Sequence, residues 1–574
     1  MMLTGLTRNL FVFLHAKPEF AQIRSALEDL LAKDGWTLAE RTRNGVLHLA
    51  PGSAPPIQRL GPDGLLIGRY LGHADTHRPS SAHTLVRSGW GMYLALWDLD
   101  EDLTVFRDPS GGLDAAVWSY GPVTIVAPDV PPALDRFLPR HAELNWTSIA
   151  ALIRAPAVSH HLGLSGFDSI APGSLMKAAA PGRPTEPVWT PATFARQVRP
   201  ADPAVVRRVV KGAVRYLLEP HSEVAGELSG GLDSSIVATA AQQAGARRIQ
   251  WINFHAIELE SDERRYVEAM ASWLGTPVVS RAKRVQPLRM EQLRRLCEGI
   301  RPGLFGLDVE YDDEVAQFMQ SANATAVVTG QGGDAVFFQT ATPAVAIDRL
   351  RRCGLRTMTP RFLHQVALWT DRSVWSIAGM ALRDRTGRPW SDTVDDPAAR
   401  PEDHPWLADL EGLPPGKVEQ IRQLVNSQVF LTPSLRGRAG EVLHPLLSQP
   451  VMEHLLRIPT DELTRGGEGR ALAREAFRHQ LPDCVRRRGS KGELTTYYGH
   501  VVRESLPLLR ELLLDGVLVR EGLLDRNETE RLLDPDLLIS SGDYNVALVR
   551  TLIEVWCRAW LERLAGVRTS KSLI

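Results

Sequence analysis

Seven consecutive residues, Ser229-Gly230-Gly231-Leu232-Asp233-Ser234-Ser235, constrain this chain more than any other feature. Ahead of them, Val224 to Leu228 is a short apolar run that suits a buried strand. Behind them, Ser235 to Ala244, with Ile236, Val237 and Ala240, suits a helix that stops at Gly245. Strand, glycine loop and helix, in that order, make a phosphate cradle. Gly230 and Gly231 lack a Cβ, so backbone amides can come close to an anion. Ser234 and Ser235 fall at the helix start, where unpaired N–H groups and the positive end of the dipole attract phosphate. Asp233 would repel a bare phosphate. A carboxylate there makes sense if it holds a Mg²⁺ that bridges phosphate oxygens, which points to ATP. An ordinary Ser/Gly/Asp turn is the structural alternative, and the flanking strand and helix count against it. No Gly-Lys-Ser/Thr follows, so this is not the loop of the nucleoside triphosphatases.

The chain is long enough, at 574 residues, for two or more domains that each bury a core. Lys and Arg number 66 against 67 Asp and Glu, a net charge of -1, so nothing draws the whole protein to nucleic acid or an anionic membrane. Cys297, Cys353, Cys484 and Cys557 lie far apart without a Cys-x-x-Cys pair, which argues against a zinc site or redox dithiol and for a reducing, cytoplasmic setting. The run Leu10 to Leu14 after Arg8 is too short for a signal peptide, and Lys17, Pro18 and Glu19 follow where small residues would be needed. It is expected to be a first core strand. No apolar stretch approaches the roughly 18 residues of a membrane span.

Residues 10 to 127 read as short strands, such as Val46–Leu49, Leu65–Ile67, Gly91–Trp97 and Val123–Val126, with a helix over Phe20–Ala32. The proline-rich passage Ala180 to Pro187 marks the expected boundary between domains over 1–195 and 200–574. Beyond it, strands at Gln250–Phe254 and Ala324–Thr329 alternate with helices at Val205–Leu218 and Glu263–Leu274, the rhythm of an α/β domain with a parallel sheet, and the last 150 or so residues are mostly helical. Residues 383 to 415, rich in Pro, Asp and Arg, are expected to form a long surface loop or lid, or a solvated insertion without function.

The seven-residue loop resembles that of the ATP pyrophosphatases, and four further segments resemble the asparagine synthetases among them. These are Ser261-Asp262-Glu263 with its following helix; Val327 to Asp334, containing Gly330-Gln331-Gly332-Gly333-Asp334; Glu441-Val442-Leu443-His444-Pro445-Leu446-Leu447; and Gly469-Arg470-Ala471-Leu472 with Leu481-Pro482 and Arg488-Gly489-Ser490-Lys491-Gly492. The resemblance implies an N-terminal glutaminase-like, Ntn-type β-rich sandwich followed by an α/β pyrophosphatase domain. It also implies an ATP site built from Ser229, Gly230, Gly231, Asp233, Ser234, Ser235, Gly332, Gly333 and Asp334, with Asp233 and Asp334 as Mg²⁺ ligands. Lys491 matches the family's catalytic lysine, and Glu441 is a candidate to position the nucleophilic amine or take its proton, with a helix cap as its structural alternative.

Two departures narrow the reading. Gly91–Asp98, Leu103–Phe106 and Arg107-Asp108-Pro109-Ser110-Gly111 look like the glutaminase strand pair and turn, but Met1, Met2 and Leu3 stand where a cysteine nucleophile belongs, and Ile67-Gly68-Arg69-Tyr70 replaces the Asn-Gly-Glu segment. The domain is expected to keep the fold without releasing ammonia. Gln331, where relatives place Glu or Tyr, cannot act as a general base. The loop is most similar to that of the lasso peptide cyclases. That resemblance implies an isopeptide macrolactam closed in a precursor peptide with release of AMP and pyrophosphate, and a leader peptidase and leader-binding protein as partners. The alternatives are a β-lactam synthetase-like small-molecule cyclase and a glutamine-independent amidotransferase. A tRNA-modifying pyrophosphatase is opposed by the neutral charge and unpaired cysteines.

Overall fold

A computed structural model describes residues 9–72, 81–99, 102–157, 162–245, 248–255, 263–385, 400, 403–465, 467–489, 495–540 and 543–571. The N-terminal half is two six-stranded antiparallel sheets packed face to face. In sheet order the first contains Phe167–Ser169, Ala116–Tyr120, Val123–Ala127, Phe11–His15, Gly45–Leu49 and Thr37–Arg41. The second contains Thr185–Pro187, Ser174–Lys177, Asp102–Arg107, Gly89–Leu99, Gly64–Gly72 and Ile57–Arg59.

The period-2 alternation of strand side chains explains the packing. Phe11 and Phe13 point between the sheets with Leu47, Leu65, Ile67, Leu94 and Val105. Val12 and Leu14 point the other way, onto Leu27 and Leu31 of the helix Ala21–Lys33. The first apolar run is thus a strand buried on both faces, as expected for a core element.

The proline-rich passage carries a strand: Thr185–Pro187 pairs with Ser174–Lys177 as the outermost strand of the second sheet. Pro184 and Pro187 are tolerated there because an edge strand leaves one row of backbone groups without a ladder partner. Of the expected loop over 383–415, residues 386–399 and 401–402 lie outside the described residues, Pro405–Leu407 is a 3₁₀ turn, and Pro415 opens the helix Pro415–Asn426.

The second half is built on a five-stranded parallel sheet in the order Val278–Ala282, Arg248–His255, Glu223–Glu227, Ala326–Val328, Glu441–Leu443. The chain lays its first three strands outward from the central Glu223–Glu227, then returns to add Ala326–Val328 on the other side. The crevice between those two neighbours is therefore the topological switch point, where open parallel sheets bind ligands at their C-terminal edge. The helix Leu232–Gln243 follows the central strand. Its alanine-rich surface, with Ile236, Val237, Ala238, Ala240 and Ala241 all buried, lets it lie deep against the sheet.

The C-terminal helix Tyr544–Lys571 packs back on the sandwich. Trp556 and Trp560 each donate an indole N–H to Gly299 O, and the Trp560 ring meets Phe167 edge-on. Among the described residues no helix is long and apolar enough to cross a membrane.

Candidate active site

Two acidic glycine loops meet at the switch point. The first leaves the strand Glu223–Glu227 and enters the helix Leu232–Gln243; the second leaves Ala326–Val328 and enters the short helix Gly333–Val336. They touch backbone to backbone, which only residues without side chains permit. A Cβ on Gly330 would stand 2.5 Å from Ser234 N, and one on Gly333 would stand 2.6 Å from Asp233 Cβ. Gly230, at φ +71°, turns the first loop, and Gly332, at φ +84°, turns the second against Leu447.

Ser229 Oγ lies 3.0 Å from Ser234 Oγ and accepts from Gly231 N at 3.3 Å, so the first loop is braced by its own side chains. The helix is capped by Gly231 without a side-chain hydrogen bond, leaving its first amides to bind an anion.

Asp233 and Asp334 converge on one cation: Arg470 Nη1 is 2.7 Å from Asp233 Oδ2 and 2.7 Å from Asp334 Oδ1. Arg470 reaches both from a left-handed backbone, φ 60°, which few non-glycine residues adopt. Ser229, Gly231, Asp233, Ser234, Gly332, Gly333 and Asp334 all line one cavity of about 490 Å³. Ser235 does not. It is fully buried within the helix, and Oγ has no hydrogen-bond partner among the described residues. Gly230 contributes its backbone, accepting from Arg488 Nη1 at 3.3 Å. Two hard carboxylates beside the start of a helix suit a divalent cation bound jointly with phosphate, so Asp233 and Asp334 fit Mg²⁺.

Lys491 lies outside the described residues. Arg488, three residues earlier, is in the cavity wall, paired with Glu263 and stacked 4.4 Å from the Tyr266 ring. Glu441 is placed apart from the loops. In register it pairs with Ala326, the start of its neighbour strand, whereas the second loop begins after Val328, so Glu441 sits toward the opposite edge of the sheet. There it is held by Arg69 and by His221 at 3.4 Å. Burial alone would raise the Glu441 carboxyl, but the His221 hydrogen bond and the Arg69 guanidinium hold it below its ordinary value. It therefore clamps the two halves together rather than facing Asp233. Arg69 is the residue standing where the glutaminase segment was expected.

Sequence reasoning missed the far wall of the cavity. Lys283, just beyond the strand Val278–Ala282, bonds Asp308 at 2.6 Å inside a cage of Tyr311, Tyr497 and Tyr498. Glu227 is gripped by the buried Arg436 at 2.5 Å and by the Tyr311 hydroxyl. His444 supports the second loop from behind. Its Nε2 meets Phe430 O at 3.1 Å, which requires Nε2–H to donate, so Nδ1 accepts from Thr329 Oγ1 at 2.8 Å; that oxygen in turn accepts from Gln331 N at 3.2 Å. Burial lowers the His444 pKa to about 4. Arg470 falls in the segment Gly469-Arg470-Ala471-Leu472, and nothing in its neighbours says that it bridges two loops far away in sequence.

This fold and site define an ATP-binding protein of the pyrophosphate-loop class. A family model described as asparagine synthase matches residues 205–562, more than half of the chain, and the protein belongs to that family. It is accordingly an ATP-using carbon–nitrogen ligase. A search of curated proteins returns no match. Similar solved structures include one titled the allosteric regulatory enzyme of purine biosynthesis (12% identity, 49% of this chain and 82% of that one, TM-score 0.19). Another is the glutamine phosphoribosylpyrophosphate amidotransferase of B. subtilis complexed with ADP and GMP (12%, 48% and 83%, TM-score 0.18).

Proposed function

We propose that this ligase closes a macrolactam in a precursor peptide. An Asp or Glu side-chain carboxylate of the peptide attacks the α-phosphorus of ATP, pyrophosphate leaves, and the peptide's own N-terminal amine displaces AMP from the acyl-adenylate. The first-loop amides and Ser229 and Ser234 bind the phosphates. Asp233 and Asp334 hold Mg²⁺, whose part is to offset phosphate charge. Arg470 and Arg488 add positive charge around the phosphates, and Lys491 is assigned to the developing oxyanion.

The observation that carries the peptide reading is the state of the cavity's carboxylates. Asp233 and Asp334 are engaged by Arg470, Glu227 by Arg436 and Glu263 by Arg488, while the position of the family base is Gln331. Among the described residues no carboxylate lining the cavity stands ready to take a proton. An α-amine, with a pKa near 7.7 to 8.0, is partly neutral at pH 7 and needs little help, whereas a side-chain ammonium near 10.4 needs a base. Holding both ends of one peptide supplies the remaining rate through proximity. The leader peptidase and leader-binding protein of such a pathway are the proposed partners.

The test is mass spectrometry of the leaderless precursor peptide incubated with enzyme, ATP and Mg²⁺. The product is expected one water lighter than the linear peptide, with AMP and pyrophosphate in proportion, and acetylating the N-terminus should stop it. A small amino-acid derivative that outcompetes every peptide would move the reading to a β-lactam synthetase-like cyclase.

A further inference from the structure

A second cavity, about 620 Å³, lies between the two halves of the protein. Its apolar walls come from both: Trp90, Met92 and Leu113 on the sandwich side, Leu431 and Leu447 on the other. Its acidic edges are already matched in the walls. Asp114 is held by Arg107 and Arg301, Glu298 by Arg438, and Glu441 by Arg69 and His221, while Asp129 accepts from the backbone N–H groups of Ile300 and Val130. What remains for an occupant is mainly apolar surface. The volume is far beyond a conduit for one small polar molecule, since a water takes roughly 30 Å³, and falls within the roughly 300 to 1,000 Å³ of ligand sites.

This chamber adjoins the ATP cavity at one shared residue. Phe430 lines both spaces. Leu447 lines the chamber and packs against Gly332 of the second loop. His444 lines it too, and is tied to Thr329 at the root of that loop.

We infer that the interdomain chamber is a substrate subsite that takes an apolar segment of the peptide whose carboxylate is activated beyond Phe430. The inference rests on the reading of the ATP cavity as an acyl-activating centre, and adds to it where the rest of the substrate goes. A peptide anchored there is held from two sides of the Phe430 wall, with its reacting groups against Asp233 and Asp334 and an apolar stretch among Trp90, Met92 and Leu431.

Affinity selection with the full-length enzyme and ATP, from a pool of random dodecapeptides with free N-termini, tests this by mass spectrometry of what is retained. Wild-type protein should retain peptides rich in apolar residues. Ala133→Trp and Leu431→Trp, which fill the chamber from opposite walls, should each cut recovery about tenfold while binding ATP like wild type in equilibrium dialysis. Asp233→Ala should lose ATP and keep the peptides. Equal recovery by wild type and both tryptophan variants, no peptide retained by wild type, or peptides lost only from Asp233→Ala would each overturn the inference. Failure of the ATP reading itself shows separately, as wild-type protein that does not bind ATP in the dialysis arm.

Discussion

Gly333 lies directly on Asp233: a Cβ added to it would stand 2.6 Å from Asp233 Cβ and meet the carboxylate beyond. The second loop can approach the first only because that atom is missing. Gly333 opens a helix, so the constraint is contact and not backbone conformation. Gly333→Ala should therefore push Asp233 and Asp334 apart and weaken Mg·ATP binding by at least about tenfold, with little change in unfolding temperature. Titration calorimetry with Mg·ATP checks this, and wild-type affinity in the variant would show that the loops do not act as one site.

Arg470 neutralises two carboxylates at once, and Asp233, at 13% side-chain exposure, depends on it more than Asp334 at 49%. Removing the guanidinium leaves two like charges converging, so Arg470→Ala should bind Mg²⁺ alone more tightly than wild type and release pyrophosphate more slowly in turnover. Arg470→Lys should restore part of the rate, because it returns the charge without the planar fork. Unchanged Mg²⁺ affinity in Arg470→Ala would mean that the metal does not use these two carboxylates.

His444 sets a pH dependence. Its folded pKa is lowered to about 4 from an ordinary 6.5, by burial first, with the Phe430 hydrogen bond opposing and nearby Arg436 assisting. A depressed folded pKa contributes stability that is complete above about pH 6.5 and lost as pH falls toward 4, where the unfolded chain takes up a proton that the folded chain refuses. At 1.36 kcal/mol per pKa unit the full contribution is about 3 kcal/mol. Urea unfolding at pH 7 and pH 4.5 should show a steeper loss in wild type than in His444→Asn. Parallel losses in the two proteins would place the titration elsewhere.

The first loop, both acidic residues and the parallel sheet were legible because each is a local pattern: an apolar strand, glycines where backbones must approach, and a helix start. The first buried strand, Phe11–His15, was legible for the same reason. What was not legible came from long-range contact. Arg470 reaches Asp233 across 237 positions, and the cage around Lys283 draws Tyr311 and Tyr498 from separate helices, so no spacing in the chain announces either. Glu441 shows the converse. Its motif was visible, but which edge of the sheet it occupies depends on register with Ala326, which only the folded sheet fixes. The edge strand Thr185–Pro187 was not legible, because proline removes a ladder donor and only the folded sheet shows that its position is an edge.

Phe430 divides the ATP cavity from the interdomain chamber, packed edge-on against Phe305 at 5.7 Å and tilted against His444 at 6.1 Å. An acyl-adenylate survives long enough to meet its amine only where water is kept out. Truncating this ring widens the opening between the two spaces and loosens the fit around the bound peptide, so that solvent enters, while the phosphate loops stay in place. Phe430→Ala should therefore still consume ATP but form more AMP per amide bond than wild type, the excess arising from hydrolysis of the activated intermediate. Parallel assays of AMP by chromatography and of product by mass spectrometry give the ratio. Phe430→Leu, which keeps most of the bulk, should sit between the two. A ratio unchanged from wild type in Phe430→Ala would show that the ring is not the barrier that keeps water from the reacting carbonyl.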